Sequence, residues 1–124
     1  VNLYVGGDQT NSSSYQQSYF IYKNGSELDE VNGDEEGGRQ GVAGAINMYD
    51  PGGANQTMYQ IARLGGTHMD YAVGATSAQT YSVRTRSYTS GPTIYINRSQ
   101  QFQSQGTNYD HVPQSTITLT EIAA

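Results

Sequence analysis

Ser18-Tyr19-Phe20-Ile21-Tyr22-Lys23-Asn24-Gly25 is the stretch on which the fold turns. Its first six residues run almost without a polar break and are rich in aromatic and β-branched side chains, which suits a strand covered on both faces. Asn-Gly then supplies two residues that tolerate positive φ, the strongest short signal for a tight hairpin turn. A buried strand that reverses at residues 24–25 is therefore expected, and the remainder of the chain is read outward from it.

Upstream, Leu3-Tyr4-Val5 forms a short strand ended by Gly6-Gly7-Asp8, and Asn11-Ser12-Ser13-Ser14 is a polar loop. Downstream, residues 27–36 carry six acids around Asn32-Gly33, too charged for a core, and read as an exposed loop closed by Gly37-Gly38. Residues 42–49 and 58–64 are strand-like, separated by the turn Asp50-Pro51-Gly52-Gly53, and residues 68–73 are expected to form another strand. In residues 80–87, Tyr81, Val83 and Thr85 alternate with Ser82, Arg84 and Arg86, a period of two with one buried face and the arginines pointing outward or toward a neighbour. Residues 93–97 alternate again, residues 100–114 form a polar loop, and residues 115–122 close the chain with threonines on one face and Ile117 and Leu119 on the other. No apolar pattern of helical spacing persists beyond about two turns. The expectation is an all-β antiparallel sandwich of about eight strands, one domain over residues 1–124.

Composition narrows the function. With 35% apolar residues among 124, an isolated chain has material only for a thin core, so part of its buried surface is expected to be shared with a partner. Eleven tyrosines against two phenylalanines and no tryptophan make the aromatic mass amphipathic, suited to strand faces and interfaces. A net charge of −5 with six scattered bases provides no surface for nucleic acid or anionic lipid, and no run approaches the ~20 apolar residues of a membrane-spanning helix. The absence of cysteine removes disulfides, thiolate metal sites and cysteine catalysis. The chain opens Val1-Asn2-Leu3 with no methionine, which leaves room for a preceding segment.

Catalytic signatures are not found. His68 and His111 stand 43 positions apart, without zinc-site spacing, and neither a Gly-x-Ser-x-Gly elbow nor a phosphate-binding glycine loop occurs. Asp50, Asp70 and Asp110 supply carboxylates, as any acidic chain does, but no paired site for glycoside hydrolysis. The acidic stretch, through Asp29, Glu30, Asn32 and Asp34, has the oxygen chemistry calcium takes but lacks the alternating acid order of a calcium loop. A solvated loop is the simpler reading, and no cofactor is expected. Four Asn-x-Ser/Thr sequons, at Asn11, Asn24, Asn55 and Asn97, are close to what the Asn, Ser and Thr content produces by chance.

The C-terminal third carries a resemblance. Gln79-Thr80-Tyr81-Ser82-Val83-Arg84-Thr85-Arg86, then Ser90-Gly91-Pro92-Thr93-Ile94-Tyr95-Ile96-Asn97-Arg98-Ser99, then Ser115-Thr116-Ile117-Thr118-Leu119-Thr120-Glu121-Ile122 resembles the ending of bacteriophage and marine-virus virion surface proteins. Phe20-Ile21-Tyr22-Lys23-Asn24-Gly25 is similar to a strand and turn that precede this ending. The resemblance implies a jelly roll in the style of tumour necrosis factor-like knobs, on a virion surface as a tail-fibre tip or capsid decoration, commonly trimeric and without catalysis. It implies that Tyr81, Arg84, Arg86, Tyr95, Asn97, Ile117, Leu119 and Glu121 serve structure or subunit contact. If Glu121 shares the inward face of Ile117 and Leu119, its carboxylate requires a cation, and Arg84 and Arg86, of the same chain or of a neighbouring subunit, are the candidates; a frayed terminal strand with Glu121 in water is the equal alternative. Partners are then a homotrimer, other virion proteins and host surface glycan. The rivals are a carbohydrate-binding module or receptor-binding domain, an extracellular pilus or matrix subunit, and, least supported, a polysaccharide-cleaving enzyme.

Overall fold

The computed structural model describes residues 1–7, 15–48, 60–71, 76–88, 93–100 and 112–121. The expected loops at 11–14, 50–53 and 90–92, most of the 100–114 loop, and His111 lie outside them.

The second strand organises the chain. β1 (Asn2–Gly6) and β2 (Tyr15–Lys23) are followed by β3 (Ser26–Glu27), the one-turn helix α1 (Asp29–Asn32), β4 (Gly44–Met48), β5 (Ile61–Gly65), β6 (Tyr81–Ser87) and β7 (Tyr95–Ile96). One edge of β2 pairs antiparallel with β6 from Gln17↔Ser87 to Lys23↔Tyr81. The other edge pairs with β4 over Tyr15–Tyr19 and with β3 at Tyr22 and Lys23. A second antiparallel sheet has the order β5-β1-β7, with Asn2 of β1 also bridged to Thr116.

The hairpin forms where Asn-Gly places it. Asn24 and Gly25 have φ of 52° and 86°, the two positive values a type I′ turn requires, and Lys23 faces Ser26 across it. The returning strand is only two residues long, so the open edge of β2 is left with a gap at Phe20 and Ile21, between β3 and β4. Residues 27–36, expected to be a plain exposed loop, close that gap. Leu28 N–H donates to the Ile21 carbonyl at 2.9 Å, and the single turn of α1 swings Asn32 back onto the strand. The Asn32 Oδ1 accepts from Ile21 N–H at 2.9 Å while its Nδ2 donates to Ile21 O at 3.0 Å, so the carboxamide stands in for a neighbouring strand. Asn32 is 1% exposed; an orphaned strand N–H in its place is costly.

Both faces of β2 are covered, as its continuous apolar run implies. Tyr19 and Ile21 join Leu3 and Val5 of β1, Leu64 of β5, Met48 of β4 and Leu28 in one core between the two sheets. Phe20 is buried on the opposite face. Eight apolar side chains in all are buried among the described residues, which is the thin core that composition implies. The Tyr19 ring lies over its cross-strand partner Gly44, where a Cβ would sit 2.5 Å from Cε1; the ring fills the space the glycine leaves.

Two expected strands are corrected. Residues 68–71 run as irregular chain, because His68 and Asp70 turn inward to bond side chains of β2 and β6 rather than joining a ladder. Residues 115–121 make one bridge, at Thr116, and every residue of 116–121 is exposed. Described strands therefore number seven, with β3 as the addition.

Asn32→Ala removes the acceptor of Ile21 N–H, and urea denaturation is expected to give a loss of about 1–3 kcal/mol. Asn32→Asp keeps the acceptor but sets a buried carboxylate against the Ile21 carbonyl. At pH 7 it is expected to lose more than the alanine variant and to recover as acid protonates the new side chain.

Candidate functional site

The outward face of β6 carries the first group of candidate residues. Arg84 and Arg86 point away from the core, as alternation predicts, and turn onto the aromatic rings of β2. The Arg84 guanidinium lies 3.9 Å from the Tyr22 ring centre, and that of Arg86 lies 5.2 Å from Phe20. Gln40, from the chain entering β4, accepts a hydrogen bond from Arg86 Nη1. Tyr22 donates through its hydroxyl to Glu27 Oε2 at 3.3 Å, which joins the hairpin to this face. Tyr95 is covered in the same way by Arg98, at 5.0 Å. Three of the six bases thus cap rings, and the Tyr22 and Tyr95 faces they cover are closed to stacking by a sugar.

The inward face of β6 ends in a polar latch. Tyr81, opposite Lys23, donates its hydroxyl to Asp70 Oδ2 at 2.6 Å, and Lys23 Nζ sits 2.6 Å from the same oxygen. Hydrogen bonding to Asp70 raises the pKa of both Lys23 and Tyr81 above their ordinary values, so the ammonium and the neutral phenol are the forms present at pH 7. A lysine held charged is no nucleophile, and the cluster fastens the 67–71 segment to the sheet. A second fastening lies nearby, where Tyr19 Oη and His68 Nε2 share a hydrogen bond of 2.8 Å with the rings edge to face. Burial pushes the His68 imidazole below its ordinary pKa and the Tyr19 phenol above its own.

Asn97 joins the C-terminal segment to β1. With φ of 60°, a left-handed conformation asparagine tolerates, it follows β7 directly, and its Oδ1 accepts from both the N–H and the hydroxyl of Ser115. Ser115 Oγ in turn accepts from Tyr4 N–H at 2.9 Å, while Asn97 N–H donates to Tyr4 O at 3.0 Å. Beyond Thr116 the chain leaves this anchor. Ile117 is 47% and Leu119 64% exposed, Val112 is 67% exposed on the approach, and Glu121 lies in solvent.

The candidate residues therefore fall into three groups: Arg84 and Arg86 on the outer sheet face, Tyr81 in the latch, and Tyr95, Asn97, Ile117, Leu119 and Glu121 at the β7 and C-terminal end. Within one chain Glu121 is in solvent, while Arg84 and Arg86 are engaged with aromatic rings. Of the calcium candidates, Asp29, Glu30 and Asp34 are exposed, and the Asn32 carboxamide is committed to Ile21. No group of three or more His, Asp or Glu converges among the described residues.

Sequence reading passed over Asn32 as a strand surrogate, Asp70 as a latch, and Ser115 as the partner of Asn97. Each is a polar side chain bonded across more than ten positions, with no periodic signature. No family model, curated protein or solved structure matches the chain.

Two outcomes follow. A free imidazole titrates near 6.5; with His68 held lower, the unfolded chain takes up the proton first as pH falls. The contribution is whole above about 6.5 and declines below it toward the folded pKa. His68→Gln is expected to flatten the urea midpoint between about pH 7.5 and 5.5 relative to the unsubstituted chain. Arg84→Ala, which uncovers Tyr22, is expected to cost about 0.5–1 kcal/mol, largely insensitive to salt if ring contact dominates.

Proposed function

We propose that this chain is a non-enzymatic virion surface component, a capsid decoration or fibre tip, with a jelly-roll-like sandwich that works through homotrimer contacts and exposed loops. The observation that carries the self-association is the uncovered C-terminal segment. A chain that buries only eight apolar side chains among its described residues leaves Val112, Ile117 and Leu119 about half or more in water. Large apolar side chains left exposed along one segment are material for an interaction surface, and a closed homo-oligomer recovers the missing burial. The virion setting is supported by the sequence resemblance of residues 79–86, 90–99 and 115–122 to phage surface proteins.

The polar contacts favour this reading over catalysis. Lys23 and Tyr81 are both bonded to Asp70, and His68 is bonded to a core tyrosine. Host glycan is proposed as a secondary partner, because the Tyr71 and Tyr88 rings are 81% and 83% exposed and the aromatic caps leave them untouched. Binding of one sugar class on a glycan array, lost in Tyr71→Ala or Tyr88→Ala, is the expected result for that partner.

Light scattering on the purified chain is expected to give about three times 13.5 kDa. Leu119→Lys is expected to give a monomer with an unchanged far-ultraviolet spectrum. A unsubstituted chain that stays monomeric at micromolar concentration contradicts the self-association, and antibodies against the domain that fail to label intact particles contradict the virion setting.

A further inference from the structure

β6 is a seven-residue strand that, among the described residues, pairs on one side only. Its even-numbered residues direct N–H and C=O toward β2, as the bonds from Asn24 N–H to Thr80 O and from Tyr88 N–H to Gln16 O at the two ends show. The N–H and C=O groups of Tyr81, Val83, Thr85 and Ser87 therefore face the other way, and no described residue bonds them. Beside this edge lies a cleft of about 210 Å³ whose walls include Leu3, Tyr81, Val83 and Ile117. An open edge above an apolar cleft is the geometry that receives an added strand, with backbone bonds supplying affinity and alternate side chains filling the cleft.

The occupant is selected by charge and by what this chain leaves unpaired. Two-fold pairing of β6 with itself brings Arg84 and Arg86 of both copies onto one face, four like charges across a single ladder. Residues 112–121 contain no base and one acid, Glu121. They are anchored at Ser115 and Thr116, and from Ile117 onward every described residue is exposed, about half for Ile117 at the cleft wall, with apolar side chains at 117 and 119 in strand alternation. We infer that residues 117–121 of one copy add as a strand to the β6 edge of the next. The contact is heterologous, so each copy gives one strand and receives one, and a ring closes without β6 meeting β6. This rests on the self-association proposed above and specifies its geometry.

Two edge-blocking variants test it. Thr85→Pro removes an outward N–H from β6, a position where an edge strand tolerates proline, and Leu119→Pro removes one from the donated segment. Each alone is expected to be monomeric. Mixed, they retain one intact acceptor and one intact donor, and are expected to form a species of about twice 13.5 kDa that grows no further. A Thr85→Pro variant that assembles like the unsubstituted chain overturns the inference, as does a mixture that stays monomeric. If either variant loses its strand spectrum, amide exchange on the unsubstituted chain decides instead. Val83, Thr85, Ile117 and Leu119 should gain protection together as concentration rises, and protection of β6 without residues 117 and 119 overturns the inference. An unsubstituted chain that does not associate at all is the separate failure of the self-association itself.

Discussion

The pairing of the Asn32 carboxamide with the backbone of Ile21 is the contact on which the rest depends. β2 is the longest described strand, it has neighbours along both edges, and side chains on both of its faces are buried. Its one weak point is the gap between the short return of the hairpin and the start of β4. Asn32 closes it with a donor and an acceptor at 2.9 and 3.0 Å. Leaving that N–H unpaired in a thin core removes a large fraction of what a small domain has to lose.

From β2 the remaining features follow in layers. Inward, Tyr19 and Ile21 meet β1 and β5, and the hydroxyl of Tyr19 reaches His68. Outward, Phe20 and Tyr22 lie under Arg86 and Arg84, so the cover of these rings is finished by guanidinium groups. At its C-terminal end, Lys23 reaches Asp70 and draws the 67–71 segment onto the sheet. The free edge of β6 and the anchored but exposed terminal segment are what one chain leaves unfinished.

Much of this frame was legible beforehand, and the reasons differ by element. Asn24-Gly25 was readable because a type I′ turn restricts which residues can occupy it, and β6 because its period of two spans seven residues. Residues 27–36 were misread: their charge is genuine and mostly exposed, but a single uncharged residue among them, Asn32, performs the structural task through side-chain geometry that periodicity cannot encode. The terminal segment shows the opposite failure. Thr-Ile-Thr-Leu alternates as a buried strand does, yet in one chain only Thr116 is paired, because alternation specifies a face and not the partner that covers it. Of the candidate residues, Asn97 emerges as an anchor for Ser115 and Tyr81 as part of a latch; neither partner was foreseeable from spacing.

Native-state amide exchange at Ile21, measured at a concentration where the chain is monomeric, tests the central contact most directly. Ile21 N–H faces a side chain rather than a strand, but held by Asn32 it should exchange only through global unfolding, as slowly as its neighbours Phe20 and Tyr22. An Ile21 amide that exchanges through local opening, as fast as the amides of Val83 and Thr85, which no described residue bonds, contradicts the account.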